Sequence, residues 1–122
     1  MPKEFGRNQR IAEFIKQELA VLIQRKFPMQ NFGMVTISEV DVSPDLKNAK
    51  IFFTVLAEKI SISELSKELN KESGYFRHEI SNLMTSKGVP SLKFIFDESI
   101  ERAQRLGDLI DSVSKTDNEP PD

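Results

Sequence analysis

Few residues in this chain offer the chemistry that catalysis needs, and their spacing does not assemble it. The single histidine, His78, has no cysteine near it and no repeated carboxylate spacing that would build a metal site. Ser73, Ser81 and Ser86 lie in no nucleophile-elbow sequence, and no Gly-x-x-x-x-Gly-Lys loop is present to cradle a nucleotide. Asp41, Asp45 and Asp97 are acids that could gather, but a turn and a helix cap account for Asp45 and Asp97. Nucleophile, base and oxyanion donor are not supplied together, so the chain reads as a non-enzyme with no cofactor, metal or small-molecule substrate. Cysteine is absent, which removes disulfides and thiolate chemistry and fits a reducing interior. The first ten residues are polar and lack the apolar core of a signal peptide, and the cytoplasm is the expected location.

Cations are more numerous, and the chemistry open to them is contact with phosphate. The formal net charge of -2 hides an uneven distribution. Residues 1–26 carry Lys3, Arg7, Arg10, Lys16, Arg25 and Lys26 against Glu4, Glu13 and Glu18, a net +3. Residues 98–122 carry Arg102, Arg105 and Lys115 against Glu98, Glu101, Asp108, Asp111, Asp117, Glu119 and Asp122, a net -4. A basic front of this kind suits a polyanion, although solvated faces carry similar charge densities.

The elements that must position these charges follow from periodicity. With 122 residues, 39% hydrophobic and 30% charged, the chain suits one soluble domain, and no apolar run reaches membrane-spanning length. A first helix is expected from Arg7 or Asn8 to Lys26, with Ile11, Phe14, Ile15, Leu19, Leu22 and Ile23 along one face. A loop bracketed by Pro28 and Gly33 follows. In the next strand Val35 and Ile37 alternate in one phase and Val40 and Val42 in the other, which predicts a bulge near Ser38-Glu39. Ser43-Pro44-Asp45-Leu46 should reverse the chain. The second strand points Ala49, Ile51, Phe53 and Val55 one way and Lys50, Phe52, Thr54 and Leu56 the other. Phe52 and Leu56 then lie at the sheet margin or face a partner.

From Ser61 to Asp97 the pattern turns helical and then back to a strand. Ser61-Ile62-Ser63-Glu64 reads as a capping box, with Ile60 placed to staple against Leu65. Leu65, Leu69, Phe76, Ile80, Leu83 and Met84 keep helical intervals, yet Gly74 interrupts them at a cost of about 1 kcal/mol relative to Ala. A break there divides one long helix into two packed ones with a corner between. Lys87-Gly88-Val89-Pro90 marks the end, and Leu92, Phe94 and Phe96 alternate as a third strand. A helical crossover after two antiparallel strands predicts that the third returns beside the first and parallel to it, giving strand order three-one-two. A last amphipathic helix from Asp97 or Ser99 would carry Ile100, Ala103, Leu106, Ile110 and Val113, and residues 114–122 read as a disordered acidic tail behind a single domain of residues 1–113.

Three blocks stand in order along the chain: Phe5-Gly6-Arg7 through Arg10-Ile11-Ala12, Val40-Asp41-Val42-Ser43-Pro44-Asp45-Leu46-Lys47-Asn48-Ala49-Lys50, and Val89-Pro90-Ser91-Leu92-Lys93-Phe94-Ile95-Phe96-Asp97-Glu98-Ser99. Together they resemble the ribosome-binding factor A family. The resemblance implies an α+β fold, KH-like with type II topology (α-β-β-α-kink-α-β), in which helices pack on one face of a three-stranded mixed sheet. It also implies a bacterial, RNA-binding role without chemistry: binding of the free 30S small ribosomal subunit and of 16S rRNA near its 5′ region, late subunit maturation including processing of that 5′ end, and adaptation to cold. A free-standing KH module for single-stranded RNA is the alternative, but the Gly-x-x-Gly clamp of ordinary KH domains is missing. The family instead resembles a KH domain with an Ala-x-Gly kink between its paired helices. Here Glu72-Ser73-Gly74 keeps the glycine and puts a carboxylate where Ala is typical.

For phosphate contacts the expected residues are Arg7 and Arg10 on the first helix and Lys47 and Lys50 around the turn and second strand. Lys71 and Arg77 flank the corner, and Lys87 follows the helices. Each alone also fits an ordinary surface charge, and a subset is expected to touch RNA. Tyr75 is placed either to stack on a base or to pack at the corner. The protein is expected to act as a monomer, away from membranes.

Overall fold

The apolar stripe that begins at Ile11 winds into α1 (Arg7–Lys26), which buries Ile15, Leu19, Leu22 and Ile23 and ends with Arg25 and Lys26 in its last turn, where cations complement the helix dipole. A computed structural model of the chain describes residues 6–84 and 88–99. Of the last helix expected from Asp97 or Ser99, everything beyond Ser99 lies outside the described residues, as do the expected acidic tail and Lys87. After α1 the chain turns through α2 (Met29–Phe32), a single helical turn in the stretch expected to be loop. Gly33 then takes a positive φ of 91°, and a Cβ there would meet the Ala57 carbonyl oxygen at 2.7 Å, so both conformation and space require glycine.

β1 (Met34–Val42) pairs antiparallel with β2 (Asn48–Leu56), and the register shifts between Ile37 and Glu39, at the position expected for the bulge. The extra residue is Ser38, and because it is left out of the ladder Ile37 and Val42 keep the same inward phase. The Ser43–Lys47 turn is held by its own side chains. The Ser43 hydroxyl donates to Asp45 Oδ1 at 2.6 Å, and the Lys47 N–H donates to the same oxygen at 3.0 Å.

Strand order differs from the expectation. β3 (Ser91–Phe96) lies beside β2, parallel to it, and the order is β1-β2-β3. The Ser91 N–H donates to the Lys47 carbonyl at 2.9 Å and the Asp97 N–H to the Phe53 carbonyl at 2.8 Å, so the pairing spans all of β3. Two facts explain the arrangement. A helical crossover naturally joins parallel neighbours, here β2 and β3. In addition, β2 carries the most deeply buried residues of the sheet, Ala49, Ile51 and Phe53, and a strand apolar on both faces belongs in the middle.

The crossover consists of α3 (Ile62–Lys71) and α4 (Ser73–Ser81). The N–H of Glu64 donates to the Ser61 hydroxyl at 3.1 Å, the N-cap bond expected from the capping box. Leu65, Leu69, Phe76 and Ile80 join the α1 residues and the inner faces of the three strands in one core, so the helices lie on one side of the sheet. Phe76 stands at its centre, with ring centroids 5.6 Å from Phe94 and 6.2 Å from Phe27. The helical run ends sooner than the apolar spacing suggests. The Ser81 hydroxyl donates to the His78 carbonyl at 2.7 Å, the Leu83 N–H turns to Ile80, and Leu83 is left exposed.

Together the elements run α-β-β-α-kink-α-β apart from the one-turn α2, which is the type II KH-like arrangement.

Candidate nucleic-acid interface

The corner between α3 and α4 is made by one residue, Glu72, with φ -93° and ψ 7°. Its N–H is shared between the Glu68 and Leu69 carbonyls, at 3.2 and 3.1 Å, while its own carbonyl already accepts from Phe76 N–H at 3.0 Å. Glu72 thus closes one helix and opens the next. Gly74, by contrast, sits inside α4 without a positive φ, and a Cβ built on it meets nothing within 4 Å. The corner therefore does not draw on glycine's special conformations at that position, contrary to the role that the sequence suggests for it.

The carboxylate of Glu72 is engaged as well. Its Oε1 lies 3.6 Å from Nζ of Lys26 at the end of α1, and the same ammonium sits 4.6 Å from the centroid of the Tyr75 ring. Tyr75 packs edge-on against Phe76, with centroids 5.4 Å apart. Its ring is covered by Lys26 on one side and set against the core, so of the two expected roles the packing one is observed. No sequence signal assigns Lys26 to the corner; it is remote from it along the chain, and only the packing of α1 against α4 brings the two together.

The cations expected to contact phosphate fall into two groups. Arg7 and Arg10 are exposed on the first turns of α1. The Asn8 carboxamide donates to the Val42 carbonyl at 3.2 Å, which fixes that end of α1 against the end of β1, next to the turn that carries Lys47 and the first residues of β2, which carry Lys50. Lys71 lies at the corner, adjoining the other end of α1 through the Lys26–Glu72 pair. A twenty-residue helix spans about 30 Å, so the two groups occupy well-separated positions on one molecule.

On the sheet face away from the helices, the register places Asp41, Lys50 and Lys93 side by side on β1, β2 and β3. Lys93 escapes a reading of the sequence because its neighbour depends on strand order: beside β1 it would not meet Lys50. Alternation alone places both lysines on the outward phase. Arg77 is exposed, but its Nε donates to the Val89 carbonyl at 3.0 Å, which ties α4 to the segment entering β3. Ser73 is half-buried and Gly74 exposed beside the corner.

Two carboxyls are shifted. Asp97 is held below the ordinary carboxylate range first by the Ser38 hydroxyl and then by Ser99, and Asp45 by the Ser43 hydroxyl and the Lys47 N–H. Both stay ionised as structural acceptors. Among the described residues no group of three or more His, Cys, Asp or Glu could hold a metal ion, and no helix is long and apolar enough to cross a membrane.

Comparison with known proteins agrees with this architecture. The family model described as ribosome-binding factor A matches residues 7–110. The ribosome-binding factor A of Aromatoleum aromaticum is 37% identical over 118 residues, covering 97% of this chain and 93% of its relative. The crystal structure of ribosome-binding factor A from Thermus thermophilus superposes with a TM-score of 0.61 at 16% identity, over 72% of this chain and 93% of that one. A homology model of the Thermus thermophilus factor, fitted into a cryo-EM map of its complex with 30S, superposes with a TM-score of 0.58 at 15% identity, over 70% of this chain and 89% of that one. Fold likeness at such identities speaks for the architecture, and the sequence match over nearly the whole chain speaks for descent: the chain belongs to the ribosome-binding factor A family.

Proposed function

We propose that this protein binds the free 30S small ribosomal subunit through rRNA phosphates and assists its late maturation, including processing of the 16S rRNA 5′ end and growth in the cold. Family membership across residues 7–110 is the observation that carries the reading. The Thermus thermophilus relative fitted into a map of a 30S complex supports the choice of partner. The exposed Arg7, Arg10, Lys47, Lys50 and Lys71 support the mode of contact, since phosphate is met by Lys and Arg on a rigid, shape-matched surface. Such a protein acts by occupying and remodelling an rRNA region until the subunit matures, as a cytoplasmic monomer, and needs no nucleophile or cofactor.

Co-sedimentation with free small subunits, large subunits and whole ribosomes, at low and moderate salt, tests the proposal. Binding confined to free small subunits and weakened by salt is expected. Retention of short single-stranded RNA with no subunit binding would instead assign an independent KH module.

A further inference from the structure

We propose that Lys26 belongs to a phosphate-oxyanion site at the α3–α4 corner, and that Glu72 is its built-in competitor. The Glu72 carboxylate holds the place of a phosphate until one displaces it. Lys26 Nζ lies 3.6 Å from Glu72 Oε1, a distance at which an ammonium is attracted without the short contact of a tight bidentate pair. The pair is partly open to water, with side chains 40% and 27% exposed, so it is weak and exchangeable. Arg25, next to Lys26 in the chain, and Lys71, next to Glu72, are exposed cations at the two helix ends that meet here, so they add to the attraction of an approaching anion.

Geometry also explains how Lys26 can change partner without unfolding anything. The ammonium rests 4.6 Å from the centroid of the Tyr75 ring, whose face attracts it whichever anion lies beside it. Tyr75 is backed by Phe76 in the core and does not need to move. An incoming phosphate oxygen therefore takes over the position of one carboxylate oxygen while the ring keeps the cation in place. This deepens the proposed subunit binding, and it rests on that reading only for the source of the phosphate.

The chain has one tyrosine and no tryptophan, so tyrosine emission reports on this site directly. In the intact protein at fixed ionic strength, titration with inorganic tripolyphosphate should give a saturable change in Tyr75 emission. Glu72→Gln should reach it at an about two- to fivefold lower concentration, the range expected for removing an exposed ion pair. Lys26→Gln should abolish it. In co-sedimentation with free small subunits, Glu72→Gln should bind about two- to fivefold tighter with a salt dependence steeper by about one phosphate contact. The Lys26→Gln/Glu72→Gln double variant should show no gain. Equal behaviour of wild type and Glu72→Gln in both assays would overturn the inference. A normal tripolyphosphate response without any subunit binding would keep the site, assign it to a free polyphosphate, and overturn the proposed function instead.

Discussion

Asn70 and Phe94 are paired as if the asparagine side chain were a piece of β-strand. The Phe94 N–H donates to Asn70 Oδ1 at 2.8 Å, and Asn70 Nδ2 donates to the Phe94 carbonyl at 3.0 Å. This carboxamide sits on the free edge of β3 and satisfies groups that another chain would otherwise pair with. Asn70→Ala should leave both Phe94 groups without their partner and cost about 1–3 kcal/mol, measured by urea unfolding. Asn70→Asp, which keeps the acceptor and removes the donor, should fall between it and wild type.

Acid should act partly through Asp97. Its folded carboxyl titrates below the ordinary value because Ser38 and Ser99 donate to it, so the unfolded chain binds the proton more readily. The stabilisation is fully present above the ordinary carboxylate value and is lost as pH falls through the lowered one. Ser38→Ala should therefore flatten the loss of stability between neutral pH and about pH 2. Asp45, shifted the same way by Ser43, keeps the remaining slope from vanishing.

Gly74→Ala is expected to stabilise the protein. The position is helical and open, with space for a Cβ, so alanine should contribute about 0.5–1 kcal/mol, read as a higher melting temperature. Gly33→Ala makes the contrast: a positive φ and a 2.7 Å clash with backbone predict a clear loss.

Charge substitutions should separate binding from framework. Lys47→Gln and Lys50→Gln should each weaken association with free small subunits and lower its salt dependence by about one unit, with unfolding unchanged. Arg77→Gln should do the reverse. Losing the Nε bond to Val89 should cost about 1 kcal/mol of stability while the salt dependence hardly moves.

How much of this is legible in the residues depends on range. The stripe of α1, the Ser61 cap, the bulge at Ser38 and the alternation of β3 are local patterns, and the structure has all four. Strand order is not local. The two apolar faces of β2 are visible in the sequence, but their meaning as the mark of a middle strand emerges only once β3 is placed. Gly74 misleads because an interior glycine has the same appearance whether it breaks a helix or is merely tolerated in one. The corner instead depends on how Glu72 divides its backbone bonds, and the ion pair to Lys26 depends on packing between helices far apart in the chain.

The bulge at Ser38 separates the length of β1 from its phase. With Ser38 removed, Val35, Ile37, Val40 and Val42 would alternate without interruption against Thr36, Glu39 and Asp41, and the same side chains would still face inward. The core consequently has no need of the extra residue. What it adds is a hydroxyl that reaches across β2 to Asp97, where the chain leaves the sheet. Deletion of this single codon would yield a straighter strand around an intact interior, with the exit of β3 cut loose from the opposite side of the sheet.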